Sequence, residues 1–590
     1  MHYVTHEINE NCRSQRTIHA HLSSDRLFEP KQNDLTVTKI YPEKSKIMPY
    51  QTSIESSSLG NADRIIEGKR KNETVQQQRY FNCVLCRCSL IHIIIAIIAT
   101  VIFLSACTAL SVALCGIKGE TATTSSDKHT VSSTSTTTTT STIRTTSTTT
   151  STTATPLVCS SSCLNQSWIS SASVVASWSF ENSFQDSTKV YNVTASSQAP
   201  LFALGYVGQA ASFNVTAKHA LYTSFISLNY LSFTVDLWMK QNGDPNPTDY
   251  SIVGLCPSTT NDNCLHISIR SKKFYMGFYY DDIQSTATMP LNHWMHLAFV
   301  FDVSNRRQSI YVNGVLDQQR TASNALKSAS GNFTIGTNER VRLPNNYFQG
   351  YLDQLSINRR VKSSCEILEI ATLAAHFKFD ADSPLTDFGP NSVTTKASNY
   401  LIISGHTNQA ISFSGASMSY FQASGLTALG MSNQSFSIAF RIQPQILYGT
   451  LVHLSTSSLG TGSQCFPLLG FTSNGTIVAQ ILTNNNVVVA ALGPILSLSS
   501  PWIAIVQTWS SANGLKLYIN NALVSSVAAA TFQGSEITPN YVTLGNCLSG
   551  CGACLNGSIN TPGPFTGAID DWRIYNRELN SNDICTLYSL

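Results

Sequence analysis

The second part of the chain repeats one ordered series of short segments, and this repeat limits what the chain can fold into. Residues 232–238 (SFTVDLW) match 435–441 (SFSIAFR), and residues 294–302 (WMHLAFVFD) match 502–510 (WIAIVQTWS). Four more pairs keep the same order: 178–180 with 377–379, 209–213 with 409–413, 310–314 with 517–521, and 350–357 with 567–574. Because a repeated series of this kind is the mark of repeated structural units, we predict two tandem domains, at residues 158–370 and 371–590.

Both copies have the sequence pattern of short β-strands. Apolar and polar residues alternate with a period of two, and β-branched and aromatic runs are separated by Asn, Gly, Ser and Asp. This pattern predicts an all-β ectodomain of two antiparallel β-sandwiches, with Trp and aliphatic side chains between the sheets. Asn313 and Gly314 supply the positive φ angles that a tight hairpin needs.

Three motifs carry a family resemblance. Trp294 opens a strand-like segment, residues 311–314 (YVNG) suit a hairpin, and residues 567–577 (GAIDDWRIYNR) close the second copy, with a looser counterpart at 350–359. Over about residues 170–590 the series resembles the laminin-G-like jelly roll of the concanavalin A-like lectin/glucanase superfamily. The resemblance implies two tandem jelly rolls. Sites on such rigid sandwiches can bind a ligand without catalysing a reaction.

The resemblance also implies a calcium site in each copy. Many members of the superfamily bind Ca²⁺ through an Asp of the closing strand and an early loop, and carboxylate oxygens suit this ion. The matching residues are Asp353 with Asp186 in the first copy and Asp570 with Asp387 in the second. The alternative is that these Asp residues cap turns and accept hydrogen bonds from the backbone.

Enzymes of the superfamily place paired carboxylates on one strand, typically as Glu-x-Asp-x-Glu, and the ectodomain contains no such array. A net charge of +3 with 12% charged residues argues against a nucleic-acid partner. We therefore expect a non-catalytic protein that recognises an extracellular glycan, a matrix protein or a cell-surface protein. A structural coat or spacer and a glycan-active hydrolase are the alternatives.

An aromatic run in the first copy is a candidate ligand contact. Tyr279 and Tyr280 follow Tyr275 and Phe278 and precede two Asp residues, so exposed rings there suit sugar stacking. Because alternation along a strand turns only some of these rings outward, the alternative is that they belong to the core.

Residues 89–117 contain no Asp, Glu, Lys or Arg, and this length of apolar chain predicts a transmembrane helix. Basic residues cluster before the span, which predicts a signal-anchor with a cytoplasmic N-terminus and an extracellular C-terminus at the cell membrane. Residues 1–88 lack periodicity and are expected to be mostly disordered. Residues 118–157 are rich in Ser and Thr, which is typical of a mucin-like stalk.

The cysteines fall into two groups on either side of the apolar segment. Cys83, Cys86 and Cys88 lie just before it, where S-palmitoylation, unmodified thiols and a metal site are all open readings. The ten that follow it form an even set, which predicts disulfides in an oxidising compartment: Cys159, Cys163, Cys256, Cys264, Cys365, Cys465, Cys547, Cys551, Cys554 and Cys585.

Some of the pairings can be anticipated. Cys256 and Cys264 suit a local bridge, and Cys365 suits a bridge to Cys159 or Cys163, with the connectivity otherwise open. Cys465, Cys547, Cys551 and Cys554 are expected to cross-link an insertion in the second copy, with zinc binding at the last three as the alternative.

N-glycosylation sequons also follow the apolar segment. They predict a glycoprotein modified at Asn165, Asn192, Asn214, Asn332, Asn433, Asn474 and Asn556.

Overall fold

The structure is a computed structural model, and it describes residues 159–165, 169, 171–243, 249–341, 346–535 and 540–590 of the 590-residue chain. The predicted tail (1–88), membrane helix (89–117) and stalk (118–157) lie outside the described residues, and so do Cys83, Cys86 and Cys88. None of the helices in the described ranges is long and apolar enough to cross a bilayer. Membrane anchoring, orientation and lipidation therefore stay predictions.

The first sandwich consists of fifteen strands in the part of the chain that the structure describes. They are β1 (Val174–Trp178), β2 (Thr194–Ala195), β3 (Leu201–Leu204), β4 (Gln209–Phe213), β5 (Leu221–Thr223), β6 (Phe233–Gln241), β7 (Tyr250–Leu255), β8 (Leu265–Arg270), β9 (Lys273–Gly277), β10 (Asp282–Thr288), β11 (Trp294–Asp302), β12 (Arg307–Val312), β13 (Val315–Thr321), β14 (Phe333–Ile335) and β15 (Gly350–Asn358). Sheet A has the order β13-β12-β11-β6-β15-β4-β3, with β1 beside β15, and sheet B has the order β10-β9-β8-β7-β14-β5-β2.

The second sandwich also has fifteen strands among the described residues. They are β16 (Leu373–Phe377), β17 (Thr394–Ser398), β18 (Tyr400–Ser404), β19 (Gln409–Ser414), β20 (Tyr420–Leu426), β21 (Phe436–Pro444), β22 (Thr450–Ser455), β23 (Cys465–Phe471), β24 (Thr476–Leu482), β25 (Val488–Ile495), β26 (Ile503–Ser510), β27 (Gly514–Ile519), β28 (Ala522–Val527), β29 (Asn540–Leu544) and β30 (Thr566–Tyr575). Sheet C has the order β17-β20-β29-β22-β23-β24-β25, and sheet D has the order β18-β19-β30-β21-β26-β27-β28, with β16 beside β30.

The two sandwiches have the same topology, strand for strand. Sheet D repeats the order of sheet A and sheet C repeats that of sheet B, each strand having its counterpart fifteen strands later. The prediction of two tandem antiparallel β-sandwiches is confirmed. Each interior is filled as expected: Trp178, Phe233 and Phe301 are fully buried in the first sandwich, and Trp509 and Trp572 in the second.

Three short α-helices of the described residues lie outside the sheets. Helix α1 (Ser364–Thr372) begins at the cap Ser363, whose hydroxyl accepts a hydrogen bond from the backbone N–H of Glu366 at 3.1 Å. The chain passes from α1 straight into β16, so the predicted boundary at residue 370 falls inside this helix. Helix α2 (Gly550–Ala553) lies in the cysteine-rich loop, and α3 (Ser581–Ser589) begins with a capping box at Asn580.

The segment that precedes β1 is joined to the helices that end both sandwiches. Cys159 pairs with Cys585 in α3, and Cys163 pairs with Cys365 in α1. Ser162 donates to the Asp583 carboxylate at 2.6 Å, and Leu164 packs into an apolar cluster beneath α3. Of the two partners proposed for Cys365, the structure selects Cys163.

The other three disulfides among the described residues each lie within one sandwich. Cys256 pairs with Cys264, as the sequence predicted, while Cys465 pairs with Cys554 and Cys547 pairs with Cys551. The last two bridges hold the insertion of the second copy. Because Cys547, Cys551 and Cys554 are all oxidised here, they are not available as thiolate ligands for zinc.

The two sandwiches contact each other where the β3–β4 loop of the first meets the end of β20 in the second. Val207 forms a β-bridge with Leu426, and the N–H of Gly208 donates to the carbonyl of Gly425 at 3.2 Å. A Cβ on Gly425, which has φ +85°, would lie 3.3 Å from the Gly208 nitrogen, so this approach needs a glycine. The apolar core of the second sandwich continues through this contact to Tyr206 and Trp238 of the first.

Candidate functional site

Strand β6 has one face in the core and one face outside sheet A. Leu237 and Met239 are buried in the core of the first sandwich. Successive side chains of a strand point to opposite faces, so Asp236, Trp238 and Lys240 lie on the outer face of sheet A. This face is where the first sandwich meets α1 and the second sandwich.

Tyr206 and Trp238 form a parallel aromatic stack at this junction. Their ring centroids are 3.4 Å apart, with 9° between the planes. The Tyr206 hydroxyl accepts a hydrogen bond from the side-chain amide of Asn576, and its carbonyl accepts one from the Thr427 hydroxyl at 2.8 Å. Burial, together with the nearby Asp353, raises the pKa of Tyr206, so the phenol stays protonated at neutral pH. Residues of both copies therefore fix the stack.

Trp294 extends the aromatic surface beside the stack. It lies opposite Lys240 in the ladder between β11 and β6, and its ring is 6.4 Å from that of Tyr206 in an edge-on arrangement. The Lys240 ammonium lies 5.1 Å from the centre of the Trp294 ring and 4.6 Å from that of Tyr351. Partial burial lowers the pKa of Lys240. The half-buried Trp294 thus borders a cation and an aromatic stack.

Two adjoining cavities open along this aromatic surface. The inner one, of about 220 Å³, lies between the Tyr206–Trp238 stack, α1 and residues of the second sandwich that include Asn576 and Arg577. The outer one, of about 280 Å³, lies between Lys240 and Asn433. Four residues line both cavities: Trp294, Thr427, Met431 and Gln434. We call the two together the inter-sandwich cleft.

The polar groups of the cleft come mainly from the second copy. Gln434 donates through its amide nitrogen to the carbonyl of Asn576 at 3.0 Å. Arg577 contacts Asp583 at 2.5 Å and Thr372 at 3.2 Å, while its Nη2 has no hydrogen-bond partner among the described residues. Asn576 Oδ1 is likewise buried and unpartnered. The cleft therefore joins aromatic rings of one copy to amide and guanidinium groups of the other.

A third cavity, of about 230 Å³, lies beneath Trp238. Its wall includes His296 and the buried ion pair between Lys362 and Asp236, whose charged atoms are 2.7 Å apart. Both ring nitrogens of His296 lack a partner among the described residues, and burial lowers the pKa of this ring to about 3. His296 is therefore neutral at physiological pH.

The predicted calcium residues Asp353 and Asp570 occupy equivalent positions. One Asp353 oxygen accepts the backbone N–H groups of Tyr206 and Val207, at 2.9 and 3.3 Å, and the other is buried without a described partner. In the second copy, Asp570 accepts the N–H groups of His406 and Thr407, at 2.8 and 3.0 Å. Each carboxylate thus lies under the loop that joins the third and fourth strands of its copy.

A second carboxylate, which was not predicted from the sequence, lies near each of these loops. Glu181 accepts the N–H of Gln209 at 3.1 Å, and Asp380 accepts the N–H of Gln409 at 3.4 Å. Burial raises the pKa of Asp353 well above its usual range, and the charge of Glu181 raises it further. Glu181 and Asp380 each follow a matched motif, 178–180 and 377–379, and that equivalence was the available signal.

The early-loop residues Asp186 and Asp387 have a different role in the structure. Asp186 accepts backbone N–H groups from Ser177 at 2.8 Å and Tyr191 at 2.9 Å, among others. Asp387 accepts those of His376 at 2.9 Å, Gly389 and Val393. Both oxygens of each carboxylate are engaged, which matches the alternative that these Asp residues organise turns. Asp353 and Glu181 therefore remain as candidate calcium ligands at the first loop, and Asp570 and Asp380 remain at the second.

In the described ranges, no group of three or more His, Cys, Asp or Glu side chains could hold a metal ion. A calcium ion at Asp353 and Glu181 would therefore need backbone carbonyls and water to complete its six to eight oxygen ligands. The buried, unpartnered oxygen of Asp353 fits such an ion.

Tyr279 and Tyr280 lie in the turn between β9 and β10. Tyr280 is 79% exposed, and its ring contacts that of Tyr279 edge-on at 4.7 Å. Tyr275 and Phe278, from the same run, are buried. Of this run, only the half-buried Tyr279 and the exposed Tyr280 reach the surface, and they are separate from the residues of the inter-sandwich cleft.

The glycosylation sequons differ in exposure. Five of the predicted acceptors are exposed: Asn192, Asn214, Asn332, Asn433 and Asn474. Asn556 is half-buried, and its amide nitrogen donates to the carbonyl of Cys551 at 3.2 Å, which leaves this nitrogen poorly placed to carry a glycan. The side chain of Asn165 lies outside the described residues.

Fold and cleft together define a protein of two tandem antiparallel β-sandwiches with a ligand-sized cleft between them. The laminin-G family model described as the concanavalin A-like lectin/glucanases superfamily matches residues 212–368 and 415–585, which is more than half of the chain. The chain therefore belongs to this superfamily. No curated protein matches it significantly.

Several solved structures are similar to the chain at low identity. They include domain 4 of AbnA, a GH43 extracellular arabinanase from Geobacillus stearothermophilus, in complex with arabinotriose (21% identity, 34% of this chain and 98% of that chain, TM-score 0.29). Domains LG4-5 of the mouse laminin alpha1 chain are 12% identical, over 65% of this chain and 94% of that chain, with a TM-score of 0.23. The binding domain of Paraclostridial Mosquitocidal Protein 1 is 11% identical, over 67% and 97%, with a TM-score of 0.30. Likenesses this low carry no argument about function.

Proposed function

We propose that this chain is a single-pass cell-surface glycoprotein that binds an extracellular glycan, without catalysis, in the inter-sandwich cleft. The observation that carries the proposal is the aromatic surface of Tyr206, Trp238 and Trp294 along two adjoining cavities. Together these cavities fall in the range of roughly 300–1,000 Å³ that small-molecule sites occupy, and clefts between domains are frequent binding sites. The superfamily membership agrees with a binding role.

The chemistry of the cleft suits a sugar ring. A pyranose has an apolar face of C–H groups, which packs on an aromatic ring, and an edge of hydroxyls, which needs both donors and acceptors. Trp294 offers the ring, and Gln434 and Asn292 offer amide groups in the same walls. Aromatic surface with a few polar groups that fix orientation is the usual composition of a ligand site.

We further propose that Ca²⁺ stabilises the loops next to this cleft. In the first copy, Asp353 and Glu181 would hold the ion, and in the second, Asp570 and Asp380 would hold it. Burial and the neighbouring charge of Asp571 raise the pKa of Asp570 to about 6, and a cation would offset the cost of ionising this group. Because Asp353 contacts the backbone of Tyr206, an ion there would also fix one side of the cleft.

The topology part of the proposal rests on residues 89–117 and their basic flank. The expected arrangement places the sandwiches outside the cell and residues 1–88 in the cytoplasm. An antibody against a C-terminal tag is expected to label intact cells. Labelling that appears only after permeabilisation would overturn this arrangement.

The binding part is tested by probing a glycan array with the full-length chain and three variants. Trp294→Ala is expected to weaken binding about thirtyfold, because truncation of a central Trp in a binding site typically costs about 2 kcal/mol. Trp502→Ala removes the matching Trp of the second copy and is the control. Tyr280→Ala tests the exposed pair as the binding surface instead.

The outcomes separate the candidate functions. Binding that depends on Trp294 but not on Trp502 or Tyr280 supports the cleft. Binding that depends on Tyr280 alone would move the site to the β9–β10 turn. A lack of binding on every array would favour a structural coat or spacer. Release of cleaved sugar would show a hydrolase.

A further inference from the structure

We propose that the edge of the second sandwich formed by β25 and β28 docks a second copy of this chain, and that β25 pairs there antiparallel with its own equivalent. The inference goes beyond the proposed function, because none of the residues that carry it lines the inter-sandwich cleft. Three features of the edge carry it: the backbone of β25 is open, the surrounding side chains are apolar and uncharged, and the same edge of the first copy is blocked.

The first feature is the open backbone of β25. This strand pairs only with β24, and β28 pairs only with β27, so each of them ends its sheet. The two strands contact each other where the sheets meet at this edge. Within the described ranges, no backbone hydrogen bond joins β25 to β28, and no side chain bonds to the backbone of β25. The free N–H and C=O groups of an edge strand are a template on which another strand can pair.

The second feature is the apolar surface that borders this backbone. Leu492 and Ile495 of β25 are 53% and 62% exposed. Leu523 and Val524 of β28 are 52% and 38% exposed. These side chains would lose contact with water if a strand paired along β25, and burial of apolar surface favours association.

Charged residues are absent from a long stretch of sequence around the edge. From residue 442 to residue 535 the sequence contains one charged residue, Lys516. Its ammonium lies 3.0 Å from the carboxylate of Glu578, which balances it. Neither β25 nor β28 contains a glycosylation sequon. The edge therefore lacks the charges with which proteins usually prevent strand pairing.

The third feature is that the equivalent edge of the first copy is blocked by charged side chains. Asp317 of β13 accepts the backbone N–H groups of Thr286 and Ala287 in β10, at 2.7 and 2.9 Å. Arg320 of β13 donates to the carbonyl of Asp282 at 2.8 Å. Since β10 ends sheet B, these bonds occupy backbone groups that another strand would need.

The strand register shows what replaces these two side chains in the second copy. Asp317 lies at the bulge in β13, and Val524 lies at the same bulge in β28. Three residues further along, Arg320 is matched by Val527. Because valine has no hydrogen-bonding group in its side chain, β25 stays open at the place where β10 is blocked.

The sequence of β25 suits pairing with its own copy. Two identical strands pair antiparallel about a two-fold axis, which makes the interface self-complementary. A pair centred between Ala490 and Ala491 places Val489 opposite Leu492 of the second copy, and apolar cross-strand pairs stabilise a sheet. Pro494 has no N–H to donate, and in this register it lies beyond the paired residues. Since β25 carries no charge, like charges do not meet across the axis.

The test measures the mass of the full-length chain in detergent by light scattering over a range of concentrations, together with amide hydrogen exchange of β25. Leu492→Lys puts a charge on the edge. The double variant Val524→Asp with Val527→Arg gives the second copy the blocking pair of the first. Leu401→Lys is the matched control, because Leu401 is 70% exposed on β18, at the opposite edge of the same sandwich. The melting temperature of each variant checks that it folds.

The wild-type chain is expected to form a dimer in which the β25 amides exchange more slowly than in the monomer, because they gain hydrogen bonds to the second strand. Leu492→Lys and the double variant are each expected to raise the dissociation constant of the dimer by about tenfold or more. The reason is that like charges then face each other across the two-fold axis or the open backbone becomes occupied. Leu401→Lys is expected to leave the dissociation constant unchanged.

Three results would overturn the inference. A dimer that is lost in Leu401→Lys but kept in Leu492→Lys would move the contact to β18. A dimer with unchanged exchange at β25 would place the contact elsewhere on the chain. If the chain stays monomeric while an unrelated, uncharged strand peptide slows exchange of the β25 amides, the edge docks a strand of another protein instead.

Discussion

The outer faces of sheet A and sheet D have the same strand register, but different side chains and elements pack on them. Trp238 lies opposite Asp353 in sheet A, and Arg441 lies opposite Asp570 at the matching place in sheet D. Arg441 donates to the carbonyls of Leu587 and Tyr588, at 3.0 and 2.9 Å, and so holds the end of α3 against its sheet. Trp238 instead stacks on Tyr206 from the loop between β3 and β4.

The difference decides how much space each face retains. Under α3 the remaining cavity of the second copy is about 20 Å³, whereas the cavities on the first copy's outer face measure about 220 and 280 Å³. His296 opposite Trp238 is replaced by Ala504 opposite Arg441. A duplicated fold can thus close one copy with its own helix and keep the equivalent face of the other as a cleft.

The largest expected effect is that of Trp238→Ala. Removing a buried Trp is expected to lower the free energy of unfolding by about 3–5 kcal/mol, because the side chain loses its packing and leaves a cavity. Trp238 belongs to the same packed cluster as the core of the second sandwich, so the contact between the sandwiches should loosen as well. Calorimetry of the full-length protein is the measurement, with melting as the readout.

The control for this prediction is Arg441→Ala at the matched position. It removes two hydrogen bonds to backbone carbonyls and is expected to cost about 2 kcal/mol, confined to the second sandwich. If Arg441→Ala destabilises the protein more than Trp238→Ala does, the proposed contrast between the two faces is wrong.

A smaller effect is expected from pH and calcium at Asp570. Its pKa in the fold is about 6, above the usual value for Asp, so the folded state binds a proton more tightly than the unfolded state. Stability should therefore fall as the pH rises from about 4 to 6 and stay lower above that, by at most about 3 kcal/mol. Calcium should restore part of it at pH 7.5 and have little effect at pH 4.5.

Thermal melting with calcium and with chelator, at both pH values, checks this expectation. Asp570→Asn removes the titrating group and should flatten the pH dependence and reduce the response to calcium. Asp387→Asn is the control for the turn carboxylate, since its oxygens already accept backbone N–H groups. An identical response to calcium in wild type and Asp570→Asn would exclude Asp570 as a ligand.

The smallest effect is expected from Gln443→Lys, which gives the second copy the cation of the first. Because the face nearby is closed by α3 and Ala568 replaces an aromatic partner, this substitution should not create a binding site. Stability should change by no more than about 0.5 kcal/mol. A gain in glycan binding would show that the face of the second copy is open enough to hold a ligand.

The fold could be predicted from the sequence because short local segments specify its strands and because the series of segments is repeated. Matched segments such as 232–238 and 435–441 each specify one strand, and their shared order specifies the topology. The disulfide between Cys256 and Cys264 could be anticipated for the same reason, as its two ends lie eight residues apart.

The cleft could not be predicted from the sequence, because the residues that form it come together only through long-range packing. Tyr206 meets Trp238 from the loop between two other strands, and its hydroxyl contacts Asn576, 370 positions later in the chain. Nothing in the local sequence marks Lys240 as different from a solvated surface Lys. Asp186 shows the opposite case. The sequence predicted it as a calcium ligand, but in the fold its carboxylate accepts hydrogen bonds from backbone N–H groups.

The two disulfides of the segment before β1 also determine how the protein carries mechanical load. Cys159 and Cys163 are joined to the closing helices of the second and the first sandwich, respectively. Tension applied to the chain ahead of Cys159 therefore enters both sandwiches through covalent links, and β1 is shielded from being peeled off sheet A. A ligand that pulls on either copy is resisted by the whole pair, and reduction of these two bridges would return that load to the backbone hydrogen bonds of a single edge strand.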